Sequence, residues 1–201
     1  MQTIAIFGGT GMTGQCAVRF ALGKGLKVKM LIRDEATVPT DFKDKVELVK
    51  GNILNLDDCK KTVSGTDAVC VVLGTRNDLK ATTDLSEGTK NIVGAMKDVG
   101  LKKVSVCLSA FLFYEPDKVP KIFTELNADH QRQFDVVKAS DLDYRCVLPP
   151  HIADEPSAEF TVLHDKSPGR SISKLDLGKF LIECLEQEEH SRKVIGLATK
   201  K

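Results

Sequence analysis

The residues best suited to chemistry are the glycines of residues 8–14, which follow an apolar run at residues 3–7 and precede a helical pattern. This order predicts a strand, a tight turn and the start of a helix. Gly8 suits the sharp turn, Gly11 a close approach of the backbone to phosphate, and Gly14 the packing of helix against sheet. Free N–H groups and the helix dipole favour an anion there. We therefore predict a dinucleotide pyrophosphate site. An ordinary glycine-rich turn is the alternative, since the G-x-x-G-x-x-G spacing is wider than the common fingerprint.

Arg33 is the residue that distinguishes between the two nicotinamide dinucleotides. It lies at the end of the second predicted strand, about 20 residues after Gly14, where the residue that contacts the adenosine ribose falls. A guanidinium there binds a 2′-phosphate, whereas a carboxylate would repel it. The sequence thus favours NADPH (NADP+), with a surface arginine as the alternative. We expect Asp34 to point away from this site and Asn52 to lie near the adenine edge.

A proton donor is missing from the place where many short-chain reductases have one. Ser109 lies at the carboxyl end of the fifth predicted strand, but the helix predicted after it, at residues 127–140, contains no Tyr-x-x-x-Lys pair. Tyr114 and Tyr144 are the only tyrosines. Lys118 follows Tyr114 by four residues, but this pair lies in the proline-containing loop before the predicted helix. Ketone reduction is therefore disfavoured. Hydride transfer to conjugated heterocycles, such as flavins or linear tetrapyrroles, needs no strong positioned acid and stays open.

The composition excludes several classes of protein. The chain has 201 residues with 29 Lys and Arg against 28 Asp and Glu, so nothing indicates binding to nucleic acid or to an anionic membrane. No apolar run approaches the roughly 18 residues of a membrane span, and no signal peptide is recognisable. The cysteines are scattered without a C-x-x-C pair, which disfavours a metal site and predicts buried free thiols. We expect one domain over residues 1–201, in the cytoplasm.

Strand and helix patterns alternate along the whole chain. We predict strands at residues 3–7, 26–32, 46–49, 67–73, 103–109, 144–148 and 159–163, with a last edge strand at 193–197, and helices at 13–24, 57–63, 83–99, 127–140 and 174–188. This order is typical of a single doubly wound (Rossmann-type) α/β fold, with a mostly parallel sheet and helices on both faces. Ligands of such sheets bind outside the carboxyl ends of the strands.

The chain also resembles the family of NADPH-dependent flavin reductases of the biliverdin reductase B type, which are atypical short-chain dehydrogenases. The matching segments are residues 4–8, 73–79 (LGTRNDL), 86–88, 109–112, 118–120, 149–152 (PPHI) and 172–174. They span nearly the whole chain, and the GTRNDL and PPHI segments are far more specific than the glycine turn. The resemblance implies a monomer that binds NADPH and reduces FMN, FAD, riboflavin and biliverdins of the IXβ type.

The motifs and the resemblance together assign roles to individual residues. The cofactor-binding candidates are Gly8, Thr10, Gly11, Met12, Thr13, Gly14, Arg33, Asn52, Ile53, Leu73, Gly74, Thr75, Arg76, Ser109, His130, His151 and Ile152. The substrate candidates are Ala110, Phe111, Phe113, Lys118 and Arg170, and the catalytic candidates are Ser109, His151 and His130. Two positions depart from the family: a second 2′-phosphate arginine is replaced by Val38, and an aspartate near the adenine by Asn52.

Several of these residues admit a second interpretation. In one interpretation, His130 and His151 donate a proton or contact the nicotinamide. In the other, His130 is a helix-surface residue and His151 forms hydrogen bonds within a loop. Ser109 suits orientation rather than nucleophilic attack, because no base is spaced to activate it. Lys118 and Arg170 attract phosphate or propionate groups, or are simply solvated. A binding module that senses NADP(H) without turnover is the alternative function, and a quinone or enone reductase is a third.

Overall fold

The computed structural model describes residues 1–200, and its centre is an eight-stranded sheet. The strands are β1 (Thr3–Phe7), β2 (Lys27–Ile32), β3 (Glu47–Lys50), β4 (Ala68–Val71), β5 (Lys103–Cys107), β6 (Asp143–Leu148), β7 (His151–Ala153), β8 (Phe160–His164), β9 (Ser171–Ser173) and β10 (Lys193–Thr199). Their order in the large sheet is β3-β2-β1-β4-β5-β6-β10-β8, and only β8 runs antiparallel to its neighbour. This confirms the predicted doubly wound, mostly parallel sheet.

Five helices cover the two faces of this sheet. They are α1 (Met12–Gly23), α2 (Leu56–Val63), α3 (Asp84–Asp98), α4 (Thr124–Lys138) and α5 (Lys174–Glu183). Because side chains alternate along a strand, Ile4 and Ile6 of β1 pack with α1 and α5, while Ala5 and Phe7 pack with α2, α3 and α4. Burial of both faces explains why the central strands are apolar almost without interruption.

The C-terminal third of the chain differs from the prediction in three ways. Residues 193–197 were predicted as an edge strand, which is wrong: the strand there, β10, lies between β6 and β8, and β8 forms the edge. A second, two-stranded parallel sheet of β7 and β9 was missed, because each strand has only three residues. Helix α5 ends at Glu183 rather than at residue 188, and two short 3-10 turns follow it.

The start of α4 also differs, since this helix begins at Thr124 rather than at residue 127. No side chain caps its N-terminus, and a 3-10 turn at Lys121–Phe123 leads directly into it. The sequence therefore carried no capping signal from which the start could be recognised.

The cysteines are all free and buried, as predicted. Burial raises the pKa of the Cys107 thiol to about 12, so this thiol stays protonated and packs as an apolar side chain. Within residues 1–200, no helix is long and apolar enough to cross a membrane.

Candidate functional site

The glycine turn is the tightest backbone contact at the carboxyl edge of the sheet. Gly8 has a φ of +88°, and a Cβ at this position would lie 2.1 Å from the carbonyl oxygen of Val72. A Cβ on Gly14 would lie 2.1 Å from the carbonyl oxygen of Gly8. Glycine is therefore required at both positions. Gly14 serves the packing of α1 against the turn itself, rather than against the sheet as predicted.

The N-terminus of α1 has no cap from the protein's own side chains. Its N-cap is Gly11, which has no side chain to cap the helix, and its first turn contains no acidic residue. The backbone N–H groups of Met12, Thr13 and Gly14 donate to no acceptor within residues 1–200. Such unsatisfied amides at the positive end of a helix dipole fit a pyrophosphate. The carbonyl of Thr10 accepts a hydrogen bond from Gln15 Nε2 at 3.0 Å, which stabilises the turn.

Arg33 follows β2 directly, and its guanidinium is exposed. Asp34 turns away from it and caps the next turn, because its Oδ1 accepts from the N–H of Ala36 at 3.0 Å. The side chain of Val38 is buried against the core near Phe42. A second arginine at position 38 would therefore need this loop to be rebuilt.

The two residues predicted near the adenine are partly engaged in local structure. Asn52 is exposed, but its Oδ1 accepts from the N–H of Leu54 at 3.0 Å, which forms a local turn. The side chain of Ile53 packs against α3, where a Cβ on Gly88 would lie 2.6 Å from Ile53 Cδ1. Ile53 therefore supports the corner through packing. The placement of Asn52 near the adenine stays a prediction, with one acceptor position of its Oδ1 already used by Leu54.

The loop of residues 72–83 joins β4 to α3 and lies beside the glycine turn. It contains Leu73, Gly74, Thr75 and Arg76, the predicted contacts of the nicotinamide ribose. Arg76 and the following Asn77 have φ values of +54° and +68°, a left-handed conformation that is costly outside glycine. Strained residues of this kind concentrate at ligand-binding sites. The loop is closed internally, with the N–H of Asp78 donating to the carbonyl of Thr75 at 3.1 Å.

Ser109 lies two residues beyond the end of β5 and begins a 3-10 turn at Ala110–Phe113. Its Oγ accepts from the N–H of Phe111 at 3.2 Å, so its own proton remains available for a ligand. The N–H of Ala110 donates to the carbonyl of Pro149 at 2.9 Å, which joins the turn to the end of β6.

An aromatic cluster extends from this turn. The ring of Phe111 packs edge-to-face on Tyr114, with 5.6 Å between the ring centroids, and lies tilted against Phe123 at a centroid distance of 5.1 Å. Phe113 is half-buried. The cluster gives a flat apolar ligand a surface on which to stack.

The small sheet brings His151 and Arg170 together. The N–H of His151 donates to the carbonyl of Arg170 at 3.2 Å, and Ile152 pairs with Ile172. His151 and Arg170 are both exposed. Lys118, by contrast, pairs with Asp117 at 3.0 Å on the protein surface. Of the two predicted substrate cations, Arg170 is the better placed to attract an anionic group.

His130 is a half-buried residue of α4, and its Nδ1 lies 3.1 Å from Gln133 Oε1. Burial lowers the pKa of His130, and the hydrogen bond to Gln133 offsets this effect only in part. The imidazole is therefore neutral near pH 7. This disfavours the interpretation of His130 as a proton donor and leaves its role as a contact open. The alternative interpretation, a helix-surface residue, fits its place on α4, although the side chain is half-buried.

Asp129 and Gln133, four residues apart on α4, stand where a Tyr-x-x-x-Lys pair would be sought. Both are buried, and both bond to α3: Asp129 Oδ1 accepts from Ser86 Oγ at 2.5 Å, and Gln133 Nε2 donates to Thr89 Oγ1 at 3.0 Å. This pair of positions holds two helices together. The sequence analysis missed that role, since an i, i+4 pair of polar residues does not reveal its partners.

Unpaired arginines mark the carboxyl edge. Arg33, Arg76 and Arg170 are exposed and have no hydrogen-bonded or ionic partner in the described part of the chain. The partnered arginines lie elsewhere: Arg19 binds Asp41, Arg132 binds Asp129, Arg145 binds Asp143, and Arg192 Nη1 donates to the carbonyl of Leu142. Arginine is the residue best suited to phosphate and carboxylate. In residues 1–200 no cluster of three His, Cys, Asp or Glu could hold a metal ion.

Comparison with known proteins identifies the class to which this edge belongs. Residues 8–188 match the model of a family described as NAD(P)H-binding. The chain belongs to this NAD(P)H-binding family. The match begins at Gly8, the first residue of the open turn, and runs through α5. The expected nicotinamide dinucleotide is thereby confirmed at the level of NAD(P)H.

Individual relatives share the whole fold. An uncharacterized chloroplastic protein of Arabidopsis thaliana is 26% identical over 99% of this chain and 77% of its own length. A protein of Bacillus halodurans assigned to the NAD-dependent epimerases/dehydratases has a TM-score of 0.87 at 20% identity, over 100% of this chain and 95% of that one. A short-chain dehydrogenase/reductase of Veillonella parvula in complex with NADP has a TM-score of 0.83 at 16% identity, over 98% of this chain and 94% of that one. These structures share the fold.

Proposed function

We propose that this NAD(P)H-binding protein is an NADPH-dependent reductase that transfers hydride to flavins (FMN, FAD and riboflavin) and to biliverdins of the IXβ type. The observation that carries the proposal is the composition of the carboxyl edge. An uncapped helix and three free arginines suit an anionic dinucleotide and an anionic substrate, while α4 contains no Tyr-x-x-x-Lys pair to act beside Ser109. The resemblance of the GTRNDL and PPHI segments to flavin reductases supports the same choice.

The preference for NADPH over NADH rests on Arg33. Its guanidinium is free and exposed, and the neighbouring carboxylate of Asp34 is occupied in a turn. A dianionic 2′-phosphate gains a charge-assisted hydrogen bond from this arginine, whereas a 2′-hydroxyl gains little. A short-chain dehydrogenase/reductase that shares the fold is known in complex with NADP, which supports the choice further.

The tyrosines support reduction of a conjugated ring rather than of a ketone. Tyr144 is buried at the amino end of β6, where Lys138 and Arg192 lie over its ring. Tyr114 packs on Phe111 in the loop after Ser109. Lys118 follows Tyr114 by four residues, but the two lie in successive 3-10 turns rather than on one helix, and Lys118 pairs with Asp117.

In this mechanism the chain binds and orients, and NADPH supplies the hydride. The amides of residues 12–14 hold the pyrophosphate, and Arg33 holds the 2′-phosphate. The loop of residues 72–83 and the Ser109 turn form the two walls of the nicotinamide end. The aromatic cluster around Phe111 positions a planar substrate, and Ser109 Oγ can donate a hydrogen bond to it. Catalysis comes chiefly from proximity, and the proton is taken from solvent.

The test is NADPH oxidation at 340 nm with FMN, riboflavin and biliverdin IXβ as acceptors, under multiple turnover. We expect oxidation with each acceptor, at a rate that falls when NADH replaces NADPH at subsaturating concentration. An acceptor-free reaction is the control. Absence of turnover with all of these acceptors would refute the reductase.

A redox-sensing binding module is the second candidate, because Asp129 and Gln133 serve helix packing instead of chemistry. The same assay separates the two functions: a sensor binds NADPH without oxidising it. A quinone or enone reductase would oxidise NADPH with those acceptors and not with flavins. The monomeric state, the single domain over residues 1–201 and the cytoplasmic location stay predictions.

A further inference from the structure

The loop of residues 72–83 has few polar connections to the rest of the protein. At its start, the N–H of Val72 donates to the carbonyl of Phe7 at 2.8 Å. Between residues 73 and 83, the bonds are local ones, such as that from the N–H of Lys80 to Asp78 Oδ1 at 3.1 Å. From α3, Ser86 Oγ donates to the carbonyl of Thr83 at 3.2 Å. From an element distant along the chain, Arg132 Nη2 of α4 donates to the carbonyl of Thr82 at 2.8 Å.

Arg132 is held in place by a buried carboxylate. Asp129 Oδ1 lies 3.1 Å from Arg132 Nη2, and the side chain of Asp129 is fully buried while that of Arg132 is 48% exposed. A buried carboxylate without a partner is costly. The guanidinium therefore neutralises Asp129, and the carboxylate in turn fixes the direction in which Arg132 points.

The same carboxylate also caps α3 from a neighbouring helix. The N-cap of α3 is Thr83, whose side chain makes no capping bond. Asp129 Oδ2 instead accepts from the N–H of Leu85 at 3.0 Å, in the first turn of α3. Acceptors at this place stabilise a helix start, and the positive end of the dipole favours the negative charge. Asp129 and Arg132 thus hold both the last residues of the loop and the first residues of the helix.

Helix α4 is attached to the other wall of the site as well, since it packs against the turn at Ala110–Phe113 that Ser109 begins. The spacing between the two walls therefore depends on α4. We propose that Asp129 and Arg132 are positioning residues that hold the loop of residues 72–83 at a fixed distance from the Ser109 turn, and so set the affinity for the nicotinamide half of the cofactor. This inference rests on the proposed function, which places the nicotinamide between these walls.

The experiment uses Arg132→Gln, because Arg132 is half exposed and Asp129 keeps its hydrogen bonds from Leu85 and Ser86 in this variant. Arg132→Lys tests rescue, since a lysine can still reach a carbonyl and a carboxylate. Lys60→Gln is the matched control: Lys60 Nζ pairs with Asp98 at 2.7 Å and ties α2 to the far end of α3. Each variant is titrated with NADPH and with 2′,5′-ADP, which carries the 2′-phosphate but lacks the nicotinamide half.

We expect Arg132→Gln to weaken NADPH binding about tenfold, the size of one charge-assisted hydrogen bond, and 2′,5′-ADP binding by less than about twofold. Arg132→Lys recovers most of the loss, and Lys60→Gln binds both ligands as the wild type does. Equal weakening of both ligands in Arg132→Gln would overturn the proposal, and so would unchanged binding of NADPH.

A second measurement needs no ligand. Trypsin cleaves after Arg76 and Lys80, both inside the loop. We expect cleavage at these two bonds to become several-fold faster in Arg132→Gln and to stay unchanged in Lys60→Gln. Equal cleavage rates in wild type and Arg132→Gln would overturn the proposal that Asp129 and Arg132 hold this loop. If the wild type binds neither NADPH nor 2′,5′-ADP, the proposed function fails. The cleavage rates still decide whether Asp129 and Arg132 hold the loop in place.

Discussion

Helices α1 and α5 pack side by side on one face of the sheet, yet their N-termini are built in opposite ways. A Cβ on Gly178 of α5 would lie 2.7 Å from the Cβ of Cys16 of α1, so the two helices are in close contact. At α5, Ser173 Oγ accepts from the N–H of Leu175 at 3.2 Å, and Asp176 stands in the first turn. At α1, no side chain caps the helix and no acidic residue is present in the first turn.

The difference in capping between the two helices indicates where a ligand can bind. Both helices offer the same dipole and the same unsatisfied amides. At α5, Ser173 Oγ satisfies the amide of Leu175. At α1 the amides stay without a side-chain acceptor, as the proposed pyrophosphate site requires. A helix without an N-terminal cap contributes less to the stability of the fold. Its unsatisfied amides are in turn available to bind an anion. The predictions below test this division, from the largest expected effect to the smallest.

The largest effect is expected from Gly14→Ala at the open helix. The new Cβ would lie 2.1 Å from the carbonyl oxygen of Gly8, so the turn must move and the three free amides move with it. We expect NADPH binding to be lost by titration calorimetry, together with a lower melting temperature. Gly23→Ala is the control within the same helix, because nothing lies within 4 Å of its Cβ. That variant should bind NADPH normally and be as stable as the wild type or more so. Normal NADPH binding by Gly14→Ala would refute the assignment of the turn.

Arg33→Gln should weaken NADPH binding by about 10- to 100-fold, as expected for the loss of a charge-assisted hydrogen bond of about 1.5–3 kcal/mol. NADH binding should change by less than about threefold, because NADH lacks the 2′-phosphate. Lys27→Gln, at the exposed amino end of the same strand, controls for net charge. Equal losses for NADPH and NADH, measured as dissociation constants, would contradict the role of Arg33.

At the capped helix, Ser173→Ala should affect stability rather than binding. Ser173 Oγ both accepts from Leu175 and donates to the carbonyl of Glu155 at 2.7 Å. Its removal should lower the free energy of unfolding by about 1–2 kcal/mol in urea titrations. The NADPH dissociation constant should stay within about twofold. A loss of affinity as large as that of Gly14→Ala would show that α5, too, contributes to cofactor binding.

The smallest effect is a pH dependence at the other end of α5. Phe180 of α5 packs on His190, whose Nδ1 lies 2.9 Å from His164 Nε2. Burial, and then the charge of His164, lower the pKa of His190, while Glu189 opposes the shift and Arg145 adds to it. The unfolded chain therefore binds more protons, and stability decreases as the pH falls below about 6.5, the ordinary histidine pKa.

His190→Gln should flatten this decrease between pH 6.5 and 5, followed as the free energy of unfolding at several pH values. Part of the decrease should remain, because burial lowers the pKa of His130 in the same direction. An unchanged slope in His190→Gln would show that this histidine does not carry the effect.

The sequence predicted those parts of the fold whose signal lies in consecutive residues. The glycine turn was recognisable because Gly8 and Gly14 are required by local backbone geometry, and the central strands because both of their faces are buried. The pairing of His151 with Ser171 was missed, since two three-residue strands separated along the chain have no periodicity. The place of β10 inside the sheet depends on β8 folding back onto it, which a local pattern cannot show.

The candidate site divides in the same way. Arg33 could be placed from its distance along the chain to Gly14, and its lack of a partner in the described residues agrees with that placement. The roles of Asp129 and Arg132 could not be predicted, because their partners Leu85 and Thr82 lie more than 40 residues away. Buried polar contacts between helices depend on how the helices pack, and that information is spread over the whole core.

The most direct test of the account is the fate of the hydrogen at C4 of the nicotinamide. NADPH labelled with deuterium on one or the other face of C4 is mixed with the protein and biliverdin IXβ, and the reduced tetrapyrrole is analysed by mass spectrometry. The central methine carbon keeps a transferred deuterium, whereas a flavin N–H would exchange it with water. The account predicts that one labelled form, and not the other, yields product carrying one deuterium. Unlabelled product from both forms, or no product, would contradict hydride transfer at this site.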